Sequence, residues 1–330
     1  MLDVKPFSKV LVTGAAGFIG SHLVAKLLAN DCQVIGLDNF DPFYSVKLKR
    51  YNLKSLLNNS KFELIEGDIL NRTLITDIFG KHDFDAVVHL AAKAGVRPSI
   101  TDPEAYFDVN VRGTLNILSE LKSTTNTRLV MASSSSVYGN NSEAPFSEDA
   151  ETSKAVSPYA ASKKAGEVLA HTFAHLHGIP TTLLRFFTVY GPRQRPEMAM
   201  ANFINLIEAG QMVPMFGDGS SARDYTYVDD IVDGIYRAIE RCDGYHIYNL
   251  GNSSPISLKE MIACAGEVCG KQPRVTQLAD QPGDVELTFA DISRASNDLG
   301  YQPTTTLRQG LSHYRDWANT HPLSSELQQW

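Results

Sequence analysis

The sequence predicts an α/β fold, a doubly wound parallel sheet followed by a smaller C-terminal part. Three observations predict it. Apolar strand-like runs alternate with helix-period segments through the first half of the chain. A glycine-rich turn follows the first of those runs directly. From about Phe186 the rhythm changes to loops rich in Gly, Pro and Asp, among them Gly191-Pro192-Arg193-Gln194-Arg195-Pro196 and Gln281-Pro282-Gly283-Asp284.

The expected strands are Val10 to Thr13, Gln33 to Asp38, Phe62 to Glu66, Ala86 to Leu90, Arg128 to Ser133 and Thr181 to Arg185. Lys9-Val10-Leu11-Val12-Thr13 is near-continuously apolar rather than alternating, as a strand covered on both faces by helices requires. Residues 1–181 form the expected first domain and 182–330 a smaller one that closes over the carboxyl ends of the strands, where doubly wound sheets bind ligands. Asp229 to Leu250 reads as one more helix and strand, expected to return to the first domain.

Composition narrows the function. The chain has 330 residues and carries 30 Lys plus Arg against 37 Asp plus Glu, a net charge of −7 without a basic run, which argues against a nucleic-acid partner. Cys32, Cys242, Cys264 and Cys269 have no paired spacing, so neither a zinc site nor a disulfide framework is expected, and reduced thiols in the cytoplasm are. Met1 to Lys9 leaves no room for the apolar core of a signal peptide. No run approaches the roughly 18 apolar residues of a membrane span, so no membrane partner is expected.

Gly14-Ala15-Ala16-Gly17-Phe18-Ile19-Gly20 follows the first strand and opens a helix with Ile19, Leu23, Leu27 and Leu28 on one face. Such glycines allow a tight turn, so that a pyrophosphate can sit on the helix N-terminus. A glycine turn by itself can also mean only close strand–helix packing. The second strand, however, ends at Asp38, about 20 residues on, where a carboxylate can accept both adenosine ribose hydroxyls and would repel a 2′-phosphate. Turn, helix and acid together mark a Rossmann sheet that binds NAD rather than NADP. Asp68, after the third strand, is placed to contact the adenine or to cap its own loop.

Ser157-Pro158-Tyr159-Ala160-Ala161-Ser162-Lys163 reads as a helix start with Ser157 as cap, running to Gly178. Tyr159 and Lys163 then share a face, one turn apart. A tyrosine near pKa 10 is a poor base, but a neighbouring ammonium and a cationic nicotinamide favour its phenolate. Tyr159 thereby becomes a proton acceptor for a sugar hydroxyl. An exposed helical Tyr–Lys pair is the alternative. Ser134, in the serine run 133–136 that ends a strand, would share the hydrogen bond to that hydroxyl, or else the run is a polar turn.

These residues resemble the extended short-chain dehydrogenase/reductases, and within them the NAD-dependent epimerase/dehydratase family. The resemblance covers essentially the whole chain. Beyond the glycine turn, Ser134 and Tyr159-x-x-x-Lys163, it includes His89-Leu90-Ala91-Ala92, Asn110-Val111-Arg112-Gly113-Thr114, Arg223 to Asp230 and Gly283-Asp284. It implies that Gly14, Gly17, Phe18, Ile19, Gly20, Asp38, Asn39, Asp68, Ile69, Leu90, Ala91, Ala92, Asn110, Tyr159 and Lys163 contact NAD. It implies further that Arg223 and Asp284 contact the UDP diphosphate and ribose. The alternative for Arg223 is a salt bridge to Asp224.

Dehydratases of the family carry an Asp-Glu pair after the Ser/Thr, and UDP-glucuronate decarboxylases a Glu. Here those places hold Ser135 and Ser136. The most specific resemblance is to UDP-glucuronate 4-epimerases, through Ala92 to Ser99, Asp38 to Tyr44 and Arg185 to Pro196. Thr188 stands where neutral-sugar epimerases usually have Asn. Ser135, Ser136 and Thr188 offer hydroxyls to a substrate carboxylate, and Arg193 and Arg195 offer charge, unless those two arginines are solvated loop charges. Lys93 departs from the Gln common in uronate enzymes.

The implied reaction interconverts UDP-glucuronate and UDP-galacturonate, polysaccharide precursors, through a 4-keto sugar with NAD retained. Less favoured are a UDP-glucose or UDP-N-acetylglucosamine 4-epimerase and, more remotely, a non-catalytic relative binding a dinucleotide or RNA. The resemblance also implies a homodimer in which the Asp102 to Leu121 helix and the catalytic helix pair across the two copies. His171 and His175 lie one turn apart, but no third ligand is evident and no metal is expected.

Overall fold

The computed structural model describes residues 6–140, 143–279 and 285–323. Twelve strands occur among them: β1 (Lys9–Thr13), β2 (Gln33–Asp38), β3 (Phe62–Glu66), β4 (Ala86–His89), β5 (Arg128–Ser134), β6 (Thr181–Phe186), β7 (Thr188–Tyr190), β8 (Met212–Phe216), β9 (Ala222–Tyr227), β10 (Tyr245–Leu250), β11 (Pro255–Ser257) and β12 (Arg274–Leu278). Seven form one parallel sheet in the order β10-β6-β5-β4-β1-β2-β3. The direction of winding reverses between β1 and β4, which leaves a crevice at their carboxyl ends. Every expected strand is present, with ends shifted by one residue at most where the last ladder bond falls differently.

The strands of this sheet are apolar because helices cover both of its faces. All seven residues of β5 and all six of β6 are buried. Val10, Val12, Leu23 and Leu27 belong to one core, which runs on through Tyr190, Phe203, Met261 and Tyr314 beneath the second half of the chain. Leu11, Ile35, Ile75, Leu118 and Leu183 form the core of the opposite face. Outside the main sheet, β7 pairs with β9 and β9 with β11, while β8 pairs with β12.

In the segment Asp229 to Leu250, β10 is paired with β6 along its whole length, Tyr245 opposite Thr181 and Leu250 opposite Phe186. β6 itself also lies inside the sheet, although a boundary at 181 would assign it to the second half. The helix that carries Tyr159 and Lys163 spans Pro158–His177; Ser157 Oγ accepts the Ala160 N–H at 3.1 Å, and Gly178 closes it in the left-handed conformation at φ +68°. The segment read as one helix from Asp102 to Leu121 has α-helical ends, Pro103–Phe107 and Thr114–Leu121, around a π-helical turn at Asp108–Gly113. No described helix is long and apolar enough to cross a membrane.

Candidate active site

A cavity of about 450 Å³ opens at the carboxyl ends of β1, β2, β4, β5 and β6. Gly14, Gly17, Phe18, Ile19 and Gly20 form one wall of it. Backbone packing there leaves no room for side chains. A Cβ on Gly20 would stand 2.0 Å from the Gly14 carbonyl oxygen, and one on Gly14, at φ +73°, would stand 2.9 Å from the Ala91 nitrogen. These glycines hold the turn tight while the helix N-terminus opens on the cavity, the geometry that seats a pyrophosphate. At the end of β2 the Asp38 carboxylate accepts the Ala16 N–H at 2.9 Å on one oxygen and the Phe40 N–H at 2.8 Å on the other. Each oxygen keeps a lone pair, so the carboxylate is oriented and still able to receive ribose hydroxyls. Asn39 donates to Asp68 at 2.9 Å, and Asp68 also caps its loop through the Leu70 N–H at 2.8 Å. Ile69, Leu90, Ala91 and Ala92 complete this half of the lining. A dinucleotide fits these residues.

The other half carries Ser134, Ser135, Ser136, Tyr159, Lys163, Thr188 and Arg195. Tyr159 and Lys163 line the cavity, so they are not an exposed pair. Ser134 accepts the Ser136 N–H at 3.1 Å and donates to Ser136 Oγ at 3.1 Å, which fixes the serine turn. Burial pushes the Tyr159 phenol above its ordinary value, while a hydrogen bond with Ser134 and then the Arg195 guanidinium pull it down. Arg195 is thus a cation whose charge favours the Tyr159 phenolate. Lys163 donates to the Ala132 carbonyl oxygen at 2.9 Å, and burial draws its ammonium down to about 8, opposed by Glu167. Arg195 is held by Glu197, 3.1 Å from its Nε, and lies over the Phe43 ring at 5.3 Å.

Several expected contacts stand elsewhere. Asn110 does not line the cavity: its amide accepts the Lys93 N–H at 2.8 Å and donates to the Lys93 carbonyl at 2.9 Å and to Ser162 Oγ at 2.9 Å. The π-helical turn presents it to the loop behind the cavity wall. Arg193 adopts φ +64° in the turn closed by Gln194 N–H on Gly191 O, and the turn carries its side chain off the cavity, within the field of Asp229. It is not a solvated loop charge either, since its Nη1 is buried without a hydrogen-bond partner. Arg223 lies off the cavity as well, donating to the carbonyls of Ala222 at 2.9 Å and Glu286 at 3.3 Å. Its suggested partner Asp224 instead accepts the backbone N–H groups of Asn252, Ser253 and Ala290. Asp284 lies outside the described residues. His171 and His175 stack in parallel at 6.4 Å, and no group of three metal-binding side chains occurs among the described residues.

Sequence reasoning missed Tyr106, whose hydroxyl donates to the Ala94 carbonyl at 3.0 Å and whose ring meets Tyr159 edge-on at 6.1 Å. It also missed the ion pair of Glu167 with Arg185 beneath the serine turn. The signal was there: a charge inside a strand covered on both faces, as in Leu183-Leu184-Arg185-Phe186, has to be paired.

The model of a family described as "NAD dependent epimerase/dehydratase family" matches residues 10–251. A UDP-glucuronate 4-epimerase of Thermodesulfobacterium geofontis is 40% identical over 309 residues, 93% of this chain and 95% of the relative. The crystal structure of UDP-glucuronic acid 4-epimerase from Bacillus cereus, in complex with UDP-glucuronic acid and NAD, superposes with a TM-score of 0.87 at 40% identity, covering 94% of this chain and 98% of that one. A UDP-glucose 4-epimerase from Thermotoga maritima superposes with a TM-score of 0.86 at 32% identity, covering 94% and 98%.

Proposed function

The chain belongs to the NAD-dependent epimerase/dehydratase family, and from that premise we propose that it is a UDP-glucuronate 4-epimerase with NAD as its retained cofactor. One observation carries the reading. Ser135, Ser136, Thr188 and Arg195 line the cavity on the side of Tyr159, a set of hydroxyls and one cation that suits a sugar carboxylate. The positions at which dehydratases and decarboxylases of the family hold acids are serines here.

Tyr159 takes the proton of the sugar 4-hydroxyl, and Ser134 bonds the same oxygen. When bound, NAD supplies the hydride acceptor at carbon 4 and gives the hydride back. Tyr159 returns the proton after the keto sugar has turned over. Lys163 keeps a cation within the site and bonds the cofactor ribose. Asp38 binds the adenosine ribose, and Gly14, Gly17 and Gly20 give the pyrophosphate its close approach. The proposed division of the chain falls after Phe186, with β10 added to the first domain.

A homodimer is the proposed assembly. Ile100, Phe107, Leu115, Val168 and Leu176 expose apolar side chains on the segment 96–121 and on the catalytic helix, the two elements expected to pair between copies. A cytoplasmic location is proposed from the four cysteines, all free.

Incubating the pure protein with UDP-glucuronate, UDP-glucose and UDP-N-acetylglucosamine, and identifying the products, tests the function. UDP-galacturonate as the product of the first is expected. Turnover of a neutral sugar alone overturns the uronate reading.

A further inference from the structure

Lys93 lines the cavity, and both of its backbone polar groups are clamped by the Asn110 amide at 2.8 and 2.9 Å. Its root is therefore fixed while its side chain remains partly exposed. The ammonium faces the Asp41 carboxylate at 3.4 Å, long for a charge-assisted bond, with the two side chains 28% and 33% exposed. Asp41 is firmly placed: its Oδ1 accepts the Phe43 N–H at 2.8 Å, its N–H donates to Asn39 Oδ1 at 3.0 Å and its carbonyl accepts Lys49 Nζ at 2.6 Å. Lys93 is thus the partner free to move, and a half-exposed, stretched pair holds it only weakly.

Its position matters because of its neighbour. The Ala94 carbonyl accepts the Tyr106 hydroxyl at 3.0 Å and Arg195 Nη1 at 3.4 Å, and Tyr106 packs edge-on against Tyr159. Lys93 therefore roots one residue from the point where the catalytic and anion-binding walls meet. The same wall holds Tyr44, whose buried hydroxyl has no hydrogen-bond partner.

We propose that Lys93 determines specificity by leaving Asp41 for the substrate's sugar carboxylate. The inference rests on the uronate reading. A uronate brings one negative charge more than a neutral hexose on the same nucleoside diphosphate, and Lys93 is a cation on this wall whose partly exposed side chain is held at its tip by a single long bond to a fixed carboxylate.

The test uses NAD-loaded protein carrying Tyr159→Phe, so that turnover is slow on the timescale of the titration, and titrates UDP-glucuronate and UDP-glucose calorimetrically. Lys93→Met is expected to weaken UDP-glucuronate binding roughly tenfold, the scale of one charge-assisted hydrogen bond, with UDP-glucose little changed. Retained UDP-glucose affinity reports that the variant is folded. Asp41→Asn, which releases Lys93, should leave uronate binding equal or tighter. Equal losses for both sugars assign Lys93 to a phosphate and overturn the proposal. So does an unchanged ratio, or an Asp41→Asn loss equal to that of Lys93→Met, which makes the pair a strut. If the parent protein binds UDP-glucuronate no better than UDP-glucose, the uronate reading falls and this inference with it. If the parent discriminates and Lys93→Met does too, only this inference falls.

Discussion

The Glu167 carboxylate and the Arg185 guanidinium meet in a two-pronged ion pair, at 2.8 and 2.9 Å, with both side chains only 2% exposed. The Ser133 hydroxyl donates to the same carboxylate at 2.7 Å. Arg185 reaches on to the Tyr138 hydroxyl at 3.0 Å and the Glu148 carbonyl at 3.1 Å, and Tyr138 donates to Asn249 at 2.6 Å. The helix that carries Tyr159 is thereby tied to β5 and β6, so the distance from Tyr159 to Ser134 is set from below, by charges that do not line the cavity.

Glu167→Gln leaves the Arg185 charge buried without its counter-ion, which costs about 3–5 kcal/mol. Thermal unfolding should show a large drop in Tm. An unchanged Tm would mean that the pair is dispensable.

The same carboxylate gives stability an acid limb. Although burial raises the Glu167 pKa, the bonds from Arg185 and Ser133 outweigh it and hold the group below its ordinary 4.5. A depressed carboxylate contributes stability that is present above the unfolded pKa and is lost as pH falls through the lower folded value. Acid unfolding of the wild type should therefore steepen below 4.5, and Glu167→Gln should flatten that limb. Superimposable acid curves would assign it to other groups.

NAD should stay with the protein through purification, because the reaction is redox-neutral and Asp38 repels a 2′-phosphate. Denaturing the protein and identifying the released dinucleotide checks this. NADP as the main species would sink the role given to Asp38. Gly20→Ala, whose Cβ meets the Gly14 carbonyl, should abolish retention.

Tyr159→Phe keeps the ring and deletes the proton acceptor, so turnover should fall by roughly 10²–10⁴ with UDP-sugar binding near normal. Near-normal turnover would place the base elsewhere.

Arg195 has two measurable roles. Loss of a charged hydrogen bond to the substrate carboxylate, about 1.5–3 kcal/mol, lowers kcat/KM for UDP-glucuronate by roughly 10- to 150-fold in Arg195→Ala. Because Arg195 also pulls the Tyr159 pKa down, its removal raises that pKa, and the acid limb of the pH–rate profile moves to higher pH. Thr188→Val should let some UDP-4-keto-pentose form, since a β-keto acid loses carbon dioxide once its carboxylate aligns with the ketone. Mass spectrometry would detect a species lighter by carbon dioxide and two hydrogens. Full uronate activity in both variants, with no such species, would place the carboxylate elsewhere.

The strands of the main sheet were legible because fully covered strands write their burial into composition, and the glycine turn because backbone approach forbids a Cβ. What was illegible depends on side-chain aim. Arg193 and Arg195 are two residues apart, yet a left-handed φ at the first sends only the second to the cavity. Asn110 looked like a ligand contact because its motif is local, whereas its partner Lys93 is brought to it by the fold. Arg223 likewise sits on a strand whose register with β11, Ile256 opposite Arg223, periodicity alone does not give.

The late arrival of β10 has a kinetic consequence. A ribosome must deliver about sixty residues beyond β6 before the sheet gains its last strand, and with it Asn249, which bonds Tyr138 from the far side. A nascent chain ending at Phe186 thus has the serine turn and the tyrosine but lacks the Asn249 end of the network that braces them. Assembly of the catalytic apparatus is deferred until both halves have emerged, so the halves should melt in one cooperative transition rather than two.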